Sequence, residues 1–231
     1  MDFVHAILFY TVLLISLVVH EAAHALAALW GGDKTAYLGG QVTLNPMPHI
    51  RREPFGTVLL PIGMLILSSG QMCMGYAHTP IDPIWAYRHP NKAALMSAAG
   101  PMSNFLLATI AALTLKILIG MQLIEAHNRT SLWELFLPAD GSTDGFLFAV
   151  CQICVVFVLL NLLLGLLNLI PWPPLDGAGI LGGFFPKVNR LYEFLRTQQL
   201  LMLAGLVGVF FLIQTWVWPA FDFTFRLIRG W

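Results

Sequence analysis

Charged side chains are scarce in this sequence. Only 10% of its 231 residues are Asp, Glu, Lys or Arg, whereas 58% are hydrophobic and the mean hydropathy is +0.75. Soluble domains carry about 25% charged residues, so this composition excludes an ordinary soluble domain. Twelve basic and twelve acidic residues cancel, and without a long basic run the chain is not expected to bind nucleic acid. We predict an integral, multi-pass membrane protein whose surroundings are a lipid bilayer.

Cysteines are few as well. Cys73, Cys151 and Cys154 are odd in number and lie in apolar segments. Cys151 and Cys154 form a C-x-x-C pattern, but no second pair accompanies it. Inside a hydrophobic helix we interpret them as small residues facing the membrane rather than as a redox or metal site. The sequence also lacks internal repeats and low-complexity tracts, so we expect a single domain over residues 1–231.

In place of charged residues and cysteines, the sequence contains long hydrophobic runs. Four of them, residues 3–30, 92–121, 146–170 and 198–218, are long enough to cross a bilayer as helices. A fifth apolar segment, residues 55–76, contains Pro61, Gly63 and Gly70 and is ambiguous. The pattern predicts an all-α membrane protein with about four transmembrane helices.

The first hydrophobic run contains His20-Glu21-Ala22-Ala23-His24. Histidines at positions i and i+4 share one helix face and can share one metal ion, and Glu21 lies beside that face. An ionised side chain in a membrane helix costs about 2.5 to 3.5 kcal/mol on insertion scales, so such a residue usually marks a functional site. The alternative is that both histidines only hydrogen-bond to neighbouring helices. The pattern favours a zinc hydrolase.

Asp176 is the candidate for a third metal ligand, since catalytic zinc sites use three protein ligands and leave one position for water. It follows an apolar run on a rigid backbone, because Pro171, Pro173 and Pro174 forbid helix there. Gly177 lets the chain turn tightly after it. An isolated Asp-Gly pair would indicate only a turn. Beside a histidine pair, we predict that Asp176 helps to hold one zinc ion per chain.

Topology follows from this assignment. His20, His24 and Asp176 can meet only if an even number of membrane crossings separates them, and residues 92–121 and 146–170 already supply two. Residues 55–76 are therefore expected to fold back as a re-entrant or half-inserted segment. Before it, residues 35–44 indicate a short β-hairpin or bulged strand near the site. The cytoplasmic side then collects eight of the twelve basic residues, namely Lys34, Arg51, Arg52, Arg88, Lys92, Lys187, Arg190 and Arg196.

Taken in order, these motifs resemble the site-2 proteases, intramembrane zinc metalloproteases, in their short bacterial form without an inserted PDZ or CBS domain. The resemblance covers nearly the whole chain, and Arg51 and His78 depart from it where the family often has Asp and Lys. Its motifs here are His20-Glu21-Ala22-Ala23-His24, Gly32-Asp33, Thr43-Leu44-Asn45-Pro46 with His49, Phe55-Gly56-Thr57 with Pro61, Gly75-Tyr76-Ala77, Ala99-Gly100-Pro101 with Asn104, and Asn168 with Leu175-Asp176-Gly177.

The resemblance implies a role for each matching residue. Zinc would be held by His20, His24 and Asp176, with Glu21 as general base. Asn168 would lie near the oxyanion, and Asn104 would be a further polar residue of the catalytic core. Each asparagine has an alternative role in helix packing, because membrane helices use Asn for that purpose. His49 is alternatively a surface or interface residue.

An intramembrane zinc endopeptidase of the bacterial inner membrane is the function that the resemblance implies. Its substrates would be single-pass membrane proteins or signal-peptide remnants. A helix hides its carbonyl groups, so the substrate must unwind, and the edge of a strand at residues 41–44 is suited to pair with it. The alternative is a zinc-binding scaffold or transporter, which would have no need of an uncoordinated Glu21. The particular substrate and the oligomeric state stay open.

Overall fold

The computed structural model describes residues 3–70, 73–127 and 131–230, apart from the side chain of Gln214. A π-helical turn spans Phe55–Leu59, and a 3-10 turn at Leu132–Glu134 lies between the two strands, β1 (Ile124–Ala126) and β2 (Phe136–Pro138). In chain order the helices are α1 (Phe3–Gly31), α2 (Thr35–Leu38), α3 (Pro46–Arg52), α4 (Leu60–Leu67), α5 (Pro83–Arg88), α6 (Pro90–Gly120), α7 (Phe146–Asn168), α8 (Asp176–Phe184), α9 (Pro186–Thr197) and α10 (Gln199–Arg229).

Four of these helices, α1, α6, α7 and α10, are long and apolar enough to cross a membrane. They confirm the four predicted spans and the all-α class of an integral membrane protein. The last one differs in length, because α10 continues past the predicted end at Trp218 and through Pro219 to Arg229. Helices α8 and α9, which follow the proline-rich segment, were not predicted.

Helix α6 occupies the centre of the bundle and packs against α1, α7 and α8. Its first turns lie beside the end of α1, where the Lys92 ammonium and the Trp85 indole N–H both donate to the Gly31 carbonyl, at 3.0 and 3.2 Å. At the other end of α1, Val12, Leu13 and Leu17 pack with Val156 and Leu160 of α7. The last turns of α1 therefore lie at the end of the bundle where α6 begins and α7 ends.

Cys151 and Cys154 require a correction. Both are free thiols in α7, but they are buried in the main hydrophobic cluster, where α7 packs on α6 and α10. They face other helices rather than the membrane. A thiol occupies little volume, which suits a position where helices approach each other closely.

The apolar segment 55–76 folds back, as the parity of the crossings requires. Its helical part runs from Phe55 to Leu67, which at 1.5 Å per residue is about 20 Å and too short to cross a hydrocarbon core of about 30 Å. The chain then returns, because the Tyr76 amide donates to the Gly56 carbonyl at 3.0 Å. No room for a side chain is left there, since an added Cβ on Gly75 would lie 2.7 Å from that same carbonyl oxygen.

The hairpin near the site was predicted at the wrong place. Residues 35–38 form the short helix α2, and residues 41–44 are an irregular, bent segment. The Asp33 carboxylate accepts the Thr35 amide at 2.8 Å and so starts a helical turn, which Gly40 ends with a positive φ of 71°. The two-stranded antiparallel hairpin lies instead at β1 and β2, after α6, at the opposite end of the bundle.

Cysteine labelling from either side of the membrane tests this topology. In a background without native cysteines, Lys34→Cys and Tyr87→Cys should react from one side, and Met121→Cys from the other, because α6 separates them. All three positions are exposed. Labelling of Tyr87→Cys only from the side opposite to that which labels Lys34→Cys would show that residues 55–76 cross the membrane.

Candidate metal centre

Three side chains from two helices converge at the predicted site. The Nε2 atoms of His20 and His24 lie 3.0 Å apart, and the Asp176 carboxylate oxygens lie 3.1 Å from His20 Nε2 and 3.3 Å from His24 Nε2. Zinc–nitrogen bonds of about 2.0 to 2.1 Å arranged as a tetrahedron would place neighbouring ligand atoms about 3.3 Å apart. The three side chains therefore have the spacing of three ligands of one zinc ion.

The other nitrogen of each imidazole has its own partner. His20 Nδ1 lies 2.6 Å from Asn104 Oδ1, and His24 Nδ1 lies 2.7 Å from the Met96 carbonyl oxygen. Because both partners are acceptors, each Nδ1 carries the proton, and each Nε2 of a neutral ring presents a lone pair. Two lone pairs and a carboxylate at such distances repel one another unless a cation lies between them, so the donor set fits a metal ion.

Asp176 reaches this point as the first residue of α8. Gly177 serves close packing rather than the predicted tight turn, because it is helical and an added Cβ would lie 2.5 Å from the Ile170 carbonyl oxygen. Trp172 anchors the preceding loop, and its indole N–H donates to the Met202 carbonyl of α10 at 3.2 Å.

A chain of buried amide and hydroxyl groups fixes the orientation of His20. The Asn104 amide donates to Asn161 Oδ1 at 2.8 Å, the Asn161 amide donates to Ser16 Oγ at 2.9 Å, and the Ser16 hydroxyl donates to the Val12 carbonyl at 2.7 Å. All three side chains are fully buried. Because the Asn104 nitrogen donates to Asn161, the Asn104 oxygen is the atom that faces His20.

Glu21 lies on the same helix turn, and its carboxylate is within 4.8 Å of the ligand atoms of both histidines. This carboxylate is held by Thr79, a residue that the sequence analysis did not predict. The buried Thr79 hydroxyl lies 2.7 Å from Glu21 Oε2 and 2.9 Å from the Glu21 carbonyl oxygen. This contact attaches the returning segment of residues 73–82 to the side of the site.

Three further predicted residues, Asn168, His49 and His78, have partners other than the three ligands. The Asn168 amide donates to the Leu164 carbonyl of its own helix at 3.0 Å. His49 is buried rather than superficial, and its Nε2 lies 3.0 Å from the Thr43 carbonyl oxygen. The exposed His78 lies 2.9 Å from the Glu53 carboxylate and ties the returning segment to the end of α3.

Gly100 allows a direct test of how close α6 must come to the histidines. A Cβ at this position would lie 2.6 Å from His20 Nε2 and closer still to His24 Nε2. We expect Gly100→Ala to lose most of the bound zinc, measured by mass spectrometry of the purified protein. Gly120→Ala is the matched control in the same helix, because nothing lies within 4 Å of its added Cβ. Normal zinc content in Gly100→Ala would contradict the geometry.

Comparison with known proteins agrees with this geometry. The profile of peptidase family M50 matches residues 8–212. YwhC of Bacillus subtilis, a zinc metalloprotease by its name, is 34% identical over 181 residues, which cover 77% of this chain and 69% of YwhC. Rip2 of Mycolicibacterium smegmatis, also a zinc metalloprotease by name, is 28% identical over 218 residues, which cover 94% of this chain and 70% of Rip2. No solved structure matches the chain.

The matched residues include both segments that bring ligands to the site, because α1 from its sixth residue onward and Asp176 fall within residues 8–212. The four apolar helices agree with a protease of the membrane. The chain therefore belongs to peptidase family M50, the site-2 protease family of membrane zinc metalloproteases.

Proposed function

We propose that the protein is an intramembrane endopeptidase, which hydrolyses peptide bonds within or next to the transmembrane segments of other membrane proteins. One observation carries this proposal. The two histidines and Glu21 lie inside α1, a helix long enough to span the bilayer, and are buried within the bundle. A hydrolytic site at that depth meets membrane-embedded peptide bonds. Substrates of this class are single-pass membrane proteins and signal-peptide remnants.

One zinc ion per chain is proposed to be held by His20, His24 and Asp176. A zinc ion held by these residues would act as a Lewis acid, which would polarise the scissile carbonyl and lower the pKa of a water molecule. Glu21 takes the proton from the attacking water and returns it to the leaving amine. Thr79 keeps the Glu21 carboxylate directed towards the site during both transfers.

Asn168 is proposed as the donor to the developing oxyanion. One of its two amide protons is bonded to the Leu164 carbonyl, which leaves the other available. Asn104 has a different role, since it contacts His20 and orients it without reaching the substrate. The proposed residues therefore divide into one base, one oxyanion donor and one positioning residue.

The unwound substrate is proposed to pair with the returning segment of residues 73–82 instead of residues 41–44, which form no strand. Exposure alternates along this segment, with Met74, Tyr76 and His78 exposed. The Tyr76 amide and the His78 carbonyl face the re-entrant helix and α3, where Gly56 and Arg52 are their partners. In an extended chain the backbone groups of Ala77 and Thr79 then point to the opposite edge.

That opposite edge is free within the described part of the chain, because the amides of Ala77 and Thr79 have no backbone partner there. It passes beside Glu21, to which the Thr79 hydroxyl is bonded. An extended substrate added at this edge would receive main-chain hydrogen bonds with little sequence preference. The carbonyl groups of the substrate would then lie next to Glu21, the proposed base.

Base and ligand substitutions should fail in different ways. Glu21→Gln keeps the size of the side chain but cannot accept a proton, so it should retain zinc and lose cleavage by about 10² to 10⁴-fold. Asp176→Ala and His24→Ala should lose both zinc and activity, since each removes a metal bond. Asn168→Ala should retain zinc and lose about 10² to 10³-fold in kcat. Metal content and cleavage of a fluorescent transmembrane substrate in liposomes are measured together.

Near wild-type cleavage by Glu21→Gln would remove the proposed mechanism. A wild-type protein that binds zinc but cleaves no membrane substrate would favour a zinc-binding scaffold or transporter instead.

Proline substitution tests the pairing edge. Ala77→Pro removes the amide that faces the free edge, so cleavage of an extended transmembrane substrate should fall about tenfold or more while zinc content stays normal. Val42→Pro is the control, because residues 41–44 form no strand. A loss of cleavage in Val42→Pro with none in Ala77→Pro would return the pairing edge to residues 41–44.

A further inference from the structure

Helix α9 carries an exposed face that the proposed proteolysis does not use. Its buried side consists of Val188, Tyr192 and Leu195, spaced i, i+4 and i+7, which pack on Trp172, Ala178 and Leu181. A second stripe with the same spacing runs beside it, from Lys187 through Leu191 to Phe194. All three of its residues are exposed, with Leu191 and Phe194 each 54% accessible.

Two cations accompany this second stripe. Lys187 belongs to it and Arg190 borders it, one turn before Phe194. Both are exposed, and neither side chain has an ion-pair partner among the described residues. Arg196 lies on the opposite side of the helix, about 160° from Phe194 at 100° per residue. Apolar side chains and unpaired cations on one face are typical of a helix that lies on an anionic bilayer surface.

Chain continuity places α9 at such a surface. It ends at Thr197, and the membrane-spanning helix α10 begins at Gln199, only two residues later. With no more than Gln198 between them, α9 must lie where the span enters the membrane. The side is the one that carries the metal centre and most basic residues, because α8 begins with Asp176 and leads directly into α9.

We propose that α9 binds anionic phospholipid headgroups through Lys187 and Arg190, with Leu191 and Phe194 inserted among the acyl chains, and thereby steadies the loop that leads to Asp176. The link to the site is short. The Tyr192 hydroxyl donates to the Pro171 carbonyl at 3.0 Å, at the start of that loop, and α9 packs against α8, whose first residue is Asp176. The effect on Asp176 rests on the proposed zinc site, whereas lipid binding by α9 does not.

Lipid contact is tested with a fluorophore on Phe194→Cys, in a chain without native cysteines, reconstituted in liposomes. The liposomes contain phosphatidylcholine and phosphatidylglycerol in equal parts, and one lipid or the other carries an acyl-chain quencher. Quenching should be stronger when phosphatidylglycerol carries the quencher. Arg190→Gln should reduce that preference up to about fivefold, the effect of one cation near an anionic surface. Arg196→Gln, the matched loss of one arginine from the opposite face, should leave it unchanged.

The coupling to Asp176 is tested by the rate at which wild-type protein loses zinc to a chelator. Loss should be slower in liposomes with phosphatidylglycerol than in phosphatidylcholine alone, and Arg190→Gln but not Arg196→Gln should abolish the difference. The proposed contact of α9 with anionic lipid would be overturned by any of three results: no quenching, equal quenching by both lipids, or equal effects of the two arginine variants. Equal zinc loss in both liposomes would overturn the coupling. Neither readout requires proteolysis, so an inactive protease would leave this inference standing.

Discussion

Mutual repulsion among the buried side chains of His20, His24 and Asp176 is the constraint on which the rest of the structure depends. Two imidazole nitrogens and a carboxylate lie 3.0 to 3.3 Å from one another in an apolar bundle. Without a positive charge between them, burying these groups would be costly. A cation bound there would offset that cost and would link α1 to α8. The fold must therefore bring the end of α7 back to the last turns of α1, which limits how many times the intervening chain can cross the membrane.

The surrounding helices serve this convergence in two ways. Helix α6 approaches so closely at Gly100 that no side chain fits, and it supplies the partners of both imidazole Nδ1 atoms, Asn104 and the Met96 carbonyl. Helix α7 contributes Asn161, which orients Asn104. Because the Asn104 oxygen and the Met96 carbonyl accept from the two Nδ1 atoms, the histidines are held in the tautomer that presents Nε2 to a metal. Small residues and buried amides are the usual means of close packing between membrane helices.

Two kinds of sequence signal predicted the side chains that the structure brings together. His20, Glu21 and His24 follow from helical spacing, and Asp176 from its rigid, proline-rich context. Thr79 could not be predicted, because it lies in an irregular segment 58 residues after Glu21 and a single hydroxyl has no pattern. No sequence signal distinguished Asn161 from other polar residues in apolar runs. The error at residues 35–44 arose because glycines and apolar residues suggest a hairpin, whereas the Asp33 carboxylate starts a helical turn there.

X-ray absorption at the zinc edge of the membrane-embedded protein tests the central claim, that His20, His24 and Asp176 hold one zinc ion. We predict one zinc per chain with only nitrogen and oxygen neighbours at about 2.0 to 2.2 Å, two of them showing the outer-shell scattering of imidazole rings. In Asp176→Ala the zinc signal should disappear. Sulfur neighbours at about 2.3 Å would place the metal at cysteines such as Cys151 and Cys154, and that result would contradict the site described above.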